Sequence, residues 1–188
     1  MDDRPSADGQ YRAAPPGIAD ALLAHLDAAH NLAHWLTGND HDAQEIAQEA
    51  YLRAIRSMGS FRGGDQRSWL LSIVRNLCFD QLRRNKVVRM NELPKDSEFA
   101  GTDNCGDPAA ILQRSEDIEL VRSAIGSLEP EFREVIVLRE MEGMSYKEIA
   151  DLTGVPMGTV MSRLARARRN LARTLSQEPG VKREEKPA

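Results

Sequence analysis

The chain has 188 residues, of which 41% are hydrophobic and only 5% aromatic, and its formal net charge is −4. This length suits one ordinary domain or two small helical ones, each with a modest core. No apolar run approaches membrane-spanning length, and the first residues lack the basic start and apolar centre of a signal peptide, so we expect a cytoplasmic protein without membrane insertion. Cys78 and Cys105 are too few and too far apart for a disulfide framework or a Cys-x-x-Cys metal site, which indicates free thiols.

Helical periodicity dominates the chain, and no segment alternates apolar and polar residues long enough to indicate a sheet. The predicted fold class is therefore all-α, with two small helical domains joined by a flexible linker. After an N-terminal extension at residues 1–17, which we expect to be disordered, the first domain comprises residues 18–88. Its predicted helices run from about 18 to 37, from about 42 to 57 and from about 66 to 84.

The second half of the chain begins with a break in periodicity. Residues 89–115 are rich in polar and acidic side chains with interspersed Pro and Gly, which is typical of a linker. Helical pattern returns in the second domain, residues 116–175, where Pro130 begins a helix with the apolar side chains of Val135 and Met141. The charged tail, residues 176–188, is expected to be disordered.

A helix-turn-helix is predicted near the C-terminus. Ser145 and Glu148 have capping-box spacing, so a helix begins there. Gly154 permits a sharp left-handed turn after that helix. Small Ala150, Gly154 and apolar Val160 have the spacing that two closely crossing helices need, because Val160 fills the angle between them.

The second helix of this motif has two contrasting faces. One face is predicted to be core and contains Met157, Val160, Leu164, Ala167, Leu171 and Leu175. The other side presents Gly158, Thr159, Ser162, Arg163, Ala165, Arg166 and Arg169, and there is no acidic residue from 157 to 175. Small and hydroxyl-bearing residues can approach base edges while arginines reach guanines or phosphates. An arginine run alone is more often a solvated face, but the preceding motif favours duplex DNA binding.

A second basic segment lies before the linker. Residues 53–89 contain nine basic side chains against two acidic ones. Trp69, Ser72, Asn76, Phe79 and Arg83 form a stripe opposite the apolar face of their helix. Aromatic rings, an amide and arginines suit unstacked single-stranded bases. The alternative is that Trp69 and Phe79 only widen the core; nearby Phe61, Arg62 and Arg84 favour the binding interpretation.

The helix before this one has an acidic face, and four histidines precede or begin it. The face opposite its apolar stripe comprises Glu45, Gln48, Glu49, Leu52 and Arg56, and Asp42 precedes it in the helix. It suits a basic protein partner better than DNA, although a solvated face is the commoner role. His30 and His34 are one helical turn apart, but His25 and His41 do not complete a clear ligand set, so packed or solvated histidines are favoured over zinc. No phosphate loop, nucleophile motif or paired carboxylate indicates an enzyme or a cofactor.

Taken together, several motifs resemble the extracytoplasmic-function (group IV) sigma factors of bacteria. They are residues 42–53 (DAQEIAQEAYLR), 60–63 (SFRG), Trp69-Leu70 with Arg75-Asn76, 128–135 (LEPEFREV), 143–150 (GMSYKEIA) and 158–163 (GTVMSR). The resemblance covers roughly residues 20–175 in the family's order. It implies a two-domain initiation factor that binds core RNA polymerase and promoter DNA, recognising the minus-ten element with the first domain and the minus-thirty-five element with the second.

The resemblance also implies roles for particular residues. Glu45, Gln48, Glu49 and Leu52 match the helix that docks on the clamp helices of the largest polymerase subunit, with further contacts to the second-largest subunit. Asn76 matches a residue that captures a flipped minus-ten base, supported by Phe61 and Trp69, with Arg62, Arg83 and Arg84 beside them. Ser162, Ala165 and Arg166 match positions that read the minus-thirty-five duplex. The acidic linker resembles a segment that threads the polymerase.

An anti-sigma factor is the expected regulator, and through it the protein could be held at the inner membrane. Two alternatives stay open. One is a stand-alone helix-turn-helix regulator whose N-terminal half is a sensor or dimerisation module. The other is a metalloenzyme built around His25, His30 and His34.

Overall fold

A computed structural model describes residues 18–58, 61, 63–89 and 118–177. The predicted N-terminal extension, nearly all of the predicted linker, Arg62 and most of the predicted tail lie outside the described residues. Within the described ranges every regular element is helical, which confirms the all-α prediction. None of the helices in this part of the chain is both long and apolar enough to cross a membrane.

The described residues of the first helical region form four α-helices. They are α1 (Ile18–Leu23), α2 (Leu26–Thr37), α3 (Asp40–Arg56) and α4 (Gln66–Arg89). The single helix predicted for residues 18–37 is wrong, because the chain turns at Ala24 and His25, where the His25 N–H donates to the Leu22 carbonyl at 3.0 Å. The turn leaves α1 packed on α3 and α4, with the Leu22 side chain fully buried.

Small side chains hold the centre of this region together. Gly38 ends α2 with a φ of 72°, and the side chain of Asn39 begins α3 by accepting the Asp42 N–H at 3.0 Å. The inner face of α3 is lined by buried alanines at 43, 47, 50 and 54, which let α2 approach closely. On α4, Cys78 is fully buried, and burial raises the pKa of its thiol to about 12.

The second helical region contains the predicted helix-turn-helix. Its elements are α5 (including 118–126), α6 (Pro130–Ile136), a π-helical turn (Val137–Met141), α7 (Tyr146–Thr153) and α8 (Met157–Gln177). The capping box is confirmed: Glu148 accepts the Ser145 N–H at 2.7 Å, and the Ser145 hydroxyl accepts the Glu148 N–H at 3.2 Å. Gly154 has a φ of 71° and Val160 is fully buried, so the turn is built as its spacing predicts.

The two helical regions pack against each other. Helix α2 contacts α6 and the π turn, and α4 contacts α7. One buried core therefore continues from Leu32 and Leu70 in the first region to Val135 and Ile149 in the second.

Candidate nucleic-acid and protein interfaces

Helix α8 presents a polar, basic surface away from the core. Its buried side consists of Val160, Leu164 and Ala167, which pack against α6 and α7. The residues exposed on the other side are Gly158, Ser162, Ala165, Arg166 and Arg169. The prediction that Met157 belongs to the core is wrong, since it is 52% exposed. Met157 is the first residue of α8 and lies in line with the buried face of the helix, but the adjacent turn leaves its side chain in solvent.

Several side chains on α8 are constrained by local contacts. The Ser162 hydroxyl donates to the Thr159 carbonyl at 2.9 Å, so its oxygen can still accept from a ligand. Arg168, which was not among the predicted site residues, forms an ion pair with Glu140 at 2.7 Å. Arg163 is half-buried. It lies close enough to Glu134 for its positive charge to favour the ionised form of the Glu134 carboxyl. The exposed arginines of this face that remain are therefore Arg166 and, about one turn further along, Arg169.

Asn76 lies at the edge of an open cavity on the first helical region. The cavity has a volume of about 450 Å³ and is lined by Arg53, Arg56, Ser57, Ile73 and Asn76. Asn76 is exposed, so its amide is available to a ligand. Sequence reasoning did not assign the two α3 arginines to this site, although both are in the basic segment. Two cations beside an amide suit a nucleotide, because the phosphate and the base need different partners.

The predicted aromatic residues contribute less open surface than Asn76. Phe61 and Trp69 are half-buried, with ring centroids 4.9 Å apart. Trp69 and Phe79 also pack on the core, as the alternative interpretation proposed. The Arg75 guanidinium lies over the Phe79 ring, 4.7 Å from its centroid. Further along α4, Arg83 and Arg84 are exposed, and Arg83 forms an ion pair with Asp80.

The outer face of α3 carries the predicted docking residues. Glu45 and Gln48 are exposed, and Leu52, one turn further along α3, is 45% exposed. Glu49 is half-buried and accepts from Arg53 at 2.6 Å, while the half-buried Asp42 is in the first turn. A leucine exposed among carboxylates is a surface for a partner with basic and apolar side chains.

The histidines form polar contacts near the start of α3. His30 Nε2 lies 3.1 Å from Asp40 Oδ1, and His34 Nδ1 lies 3.7 Å from the same oxygen. Burial lowers the pKa of His34. Among the residues that the structure describes, no group of three or more His, Cys, Asp or Glu side chains could hold a metal ion. This arrangement gives no support to a site built from His25, His30 and His34.

Sequence reasoning missed a set of ion pairs between the two helical regions. Glu134 is fully buried and pairs with Arg75, and Glu142 pairs with Arg67. Burial raises the pKa of Glu134, and Arg75 opposes that shift. These partners are 59 and 75 positions apart in the chain, so no local spacing could reveal them.

Comparisons with known proteins match this architecture. The family model for Sigma-70 region 2 matches residues 22–87, and the model for Sigma-70, region 4 matches residues 118–171. The ECF RNA polymerase sigma factor SigE of Mycolicibacterium smegmatis is 38% identical over 160 residues, which cover 85% of this chain and 62% of that protein. The ECF RNA polymerase sigma factor SigW of Bacillus subtilis is 33% identical over 169 residues, covering 84% of this chain and 88% of that protein.

A solved structure is similar over both helical regions. It is the sigma factor RpoE in complex with the anti-sigma factor NepR from Bartonella quintana, with a TM-score of 0.73 and 26% identity. The match covers 86% of this chain and 98% of that one. The two family models match in the order that the sequence motifs predict, and SigW is covered along most of its length. These findings confirm the resemblance: the chain belongs to the extracytoplasmic-function sigma factors of the sigma-70 family.

Proposed function

We propose that the protein binds core RNA polymerase and directs it to promoters through two DNA-binding regions. Residues 18–88 would bind polymerase and the minus-ten element, and residues 116–175 would bind the minus-thirty-five element. The observation that carries the proposal is the pairing, in one chain, of the Asn76 cavity with the exposed basic face of α8. A stand-alone duplex-binding regulator has no use for the first of these.

Each interface has a stated role in this proposal. The α3 face around Leu52 and Glu49 docks on the clamp helices of the largest polymerase subunit, and other surfaces meet the second-largest subunit. Asn76 captures a flipped base, and the free energy of capture helps to melt the duplex. On α8, Ser162, Ala165 and Arg166 read base edges, while Arg169 contacts phosphates.

An anti-sigma factor is the proposed regulator. The similar RpoE structure contains an anti-sigma factor, NepR, bound to that sigma factor. Because the similarity extends over both helical regions, a protein of this class could contact the same surfaces here. We place the protein in the cytoplasm, free or held at the inner membrane through such a partner.

The decisive experiment is reconstituted transcription. Purified protein and bacterial core RNA polymerase are incubated with a genomic DNA library, and transcripts that require the protein are sequenced. Transcripts that start downstream of a shared pair of elements support the proposal. Duplex footprints by the protein alone, without polymerase binding, would instead identify a stand-alone regulator.

The docking surface is tested with Glu49→Lys. Reversing this charge places a cation beside Arg53 and beside the basic partner, so we expect association with core polymerase to be lost in a pull-down or anisotropy titration. Glu119→Lys is the matched control, since Glu119 is also a helical glutamate paired with an arginine, Arg122, but lies on α5. Normal binding by a folded Glu49→Lys protein would refute the docking assignment.

A further inference from the structure

The last turns of α3 lie between the predicted docking surface and the Asn76 cavity. Glu49 and Leu52 belong to the outer face of this helix, whereas Arg53 and Arg56 line the cavity. Acidic and apolar side chains are therefore followed by cations within about one helical turn. Two surfaces to which the proposed function assigns different partners are neighbours on one rigid element.

An ion pair joins these two surfaces. The Arg53 Nε donates to Glu49 Oε1 at 2.6 Å. Both side chains are open to solvent, with 52% of Arg53 and 42% of Glu49 exposed. An ion pair in such a solvated position contributes little to the stability of its helix. Arg53 can therefore exchange Glu49 for another anion at little cost to the fold.

The cavity has side chains that suit a nucleotide phosphate. Arg53 and Arg56 line an opening of about 450 Å³, together with Asn76. A guanidinium has five N–H donors, so Arg53 keeps donors for a second acceptor while its Nε is bound to Glu49. The planar fork of an arginine also matches the oxygens of a phosphate. The two arginines are therefore placed to bind a phosphate beside the base that Asn76 is proposed to capture.

A different residue already caps the C-terminus of α3. Basic side chains in a last turn often satisfy terminal carbonyls and complement the helix dipole. Here the Ser57 N–H and the Ser57 hydroxyl both donate to the Arg53 main-chain carbonyl, at 2.9 and 2.6 Å. The guanidiniums of Arg53 and Arg56 are thus not required to satisfy that carbonyl. This favours a ligand as the reason for placing both of them at the cavity.

We propose that Arg53 exchanges partners, from Glu49 in the free protein to a phosphate of the single-stranded minus-ten element. A basic side chain of polymerase that pairs with Glu49 would draw this carboxylate away from Arg53 and raise the affinity of Arg53 for phosphate. One ion pair thereby couples docking to base capture, and linkage makes the effect reciprocal. The coupling rests on the proposed function, whereas competition between Glu49 and phosphate for Arg53 does not.

The exposure of the pair sets the size of the effect. Solvated helical pairs at i, i+4 spacing are weak, so removing the Glu49 charge should strengthen binding of single-stranded DNA by only about twofold to threefold. An effect of this size biases the capture of a promoter strand and does not act as an on-off switch. Arg53 would accordingly tune initiation once the protein is docked.

Oligonucleotide binding without polymerase tests the exchange. The probe is a short fluorescein-labelled oligodeoxynucleotide of mixed sequence, followed by anisotropy at low salt, with excess unlabelled duplex present to occupy the exposed face of α8. Glu49→Gln keeps an acceptor for Arg53 but removes the charge, so affinity should rise about twofold to threefold. Unchanged or weaker binding would overturn the proposal, because a carboxylate that only orients Arg53 would not compete with phosphate.

A double-mutant cycle separates the ion pair from a general loss of negative charge. In an Arg53→Gln background, Glu49→Gln should have a smaller effect, since only direct repulsion between Glu49 and DNA remains. Glu119→Gln is the matched control, because Glu119 also pairs with an arginine, Arg122, but lies on α5. It should leave affinity unchanged. An equal gain from Glu49→Gln in both backgrounds would refute the exchange.

The salt dependence of binding identifies the phosphate contacts. Arg53→Gln and Arg56→Gln should each reduce the slope of log K against log[salt] by about 0.7, the value for one phosphate contact on a single strand. Both side chains are exposed, so the variants should fold, and circular dichroism checks this. A loss of affinity at an unchanged slope would exclude these arginines from phosphate contact and overturn the proposal.

Addition of core polymerase tests the coupling. The oligonucleotide should strengthen polymerase binding by wild-type protein more than by Arg53→Gln protein, since only the wild type can release Glu49 in exchange for phosphate. Equal strengthening would refute the coupling. A protein that shows the exchange in the double-mutant cycle but binds no polymerase would count against the proposed function and not against competition at Arg53.

Discussion

Asp65 shows how one side chain determines where α4 begins. Its carboxylate accepts the Ser68 N–H at 2.9 Å, the Ser68 hydroxyl at 2.5 Å and the Arg67 N–H at 3.2 Å. These hydrogen bonds satisfy donors at the helix start and lower the pKa of Asp65, with the Ser68 hydroxyl as the largest cause. The same turn positions Arg67 and Trp69, so a local cap influences both an inter-region contact and the candidate minus-ten surface.

Removing this cap should have a pH-dependent cost. Asp65→Ala is expected to lower the free energy of unfolding by about 1 kcal/mol at pH 7. Because the folded pKa is depressed, the stabilisation by the carboxylate is complete above the ordinary value of 3.8 and is lost as the pH falls through the lower folded pKa. Urea denaturation of both proteins from pH 7 to pH 3 should show the difference shrinking in acid. A constant difference would contradict the carboxylate's role.

Helix α8 is the element whose proposed function depends most on its two faces. Its buried residues fix the rotation of the helix, so Arg166 and Ser162 are presented on the exposed side. Met161, on the boundary between the faces, is 50% exposed. The element therefore offers both charged and apolar groups to a groove, which is the mixture that duplex readout uses.

The proposed reading role of α8 can be separated experimentally from the effect of its charge. Arg166→Ala should reduce discrimination between the minus-thirty-five element and a mismatched duplex by about 1–3 kcal/mol. Arg173→Ala is the control, because this exposed arginine is farther along the helix and should weaken binding to both duplexes equally. Competition titrations at fixed salt measure both effects. Unchanged discrimination in Arg166→Ala would remove that residue from the contacts to bases.

Local spacing explains which elements were predictable. The capping box at Ser145 and the turn at Gly154 depend on neighbours a few positions away, and both are built as predicted. The turn at His25 contains no Pro or Gly, and the π turn at Val137–Met141 also has no sequence punctuation. Both were missed because packing against distant helices, and not a local signal, determines them.

The candidate site shows the same limit. The alternation of buried and exposed residues along α8 follows from helical periodicity. The prediction failed at Met157 because, at the first residue of a helix, a side chain on the buried face need not have another helix to pack against. The cavity at Asn76 needs arginines from α3, and the Glu134 pair needs Arg75 from the other region. Contacts across such separations depend on the tertiary fold.

At the scale of the whole molecule, the continuous core couples the two helical regions. Glu134 and Arg133 add hydrogen bonds and charge to the apolar contact between α2 and α6. The two helical regions therefore pack as one body.

This coupling should appear in unfolding. Wild-type protein is expected to unfold in one cooperative transition, with calorimetric and van't Hoff enthalpies that agree, because the regions share a core. Glu134→Gln should separate the transition into two, as each region then melts alone. Differential scanning calorimetry measures both, with Glu140→Gln as the control. Two separate transitions in the wild-type protein would contradict the shared core.

The absence of acidic residues from α8 has a consequence for chromatography. A pI near 5.6 predicts retention of the whole chain on an anion-exchange resin at neutral pH. The exposed arginines of α8 should nevertheless bind immobilised heparin, a sulfated polyanion, because a column contacts one face of a molecule and not its average charge. Retention on both resins, with elution from heparin by salt, is the behaviour expected of an acidic protein that has a locally basic helix face.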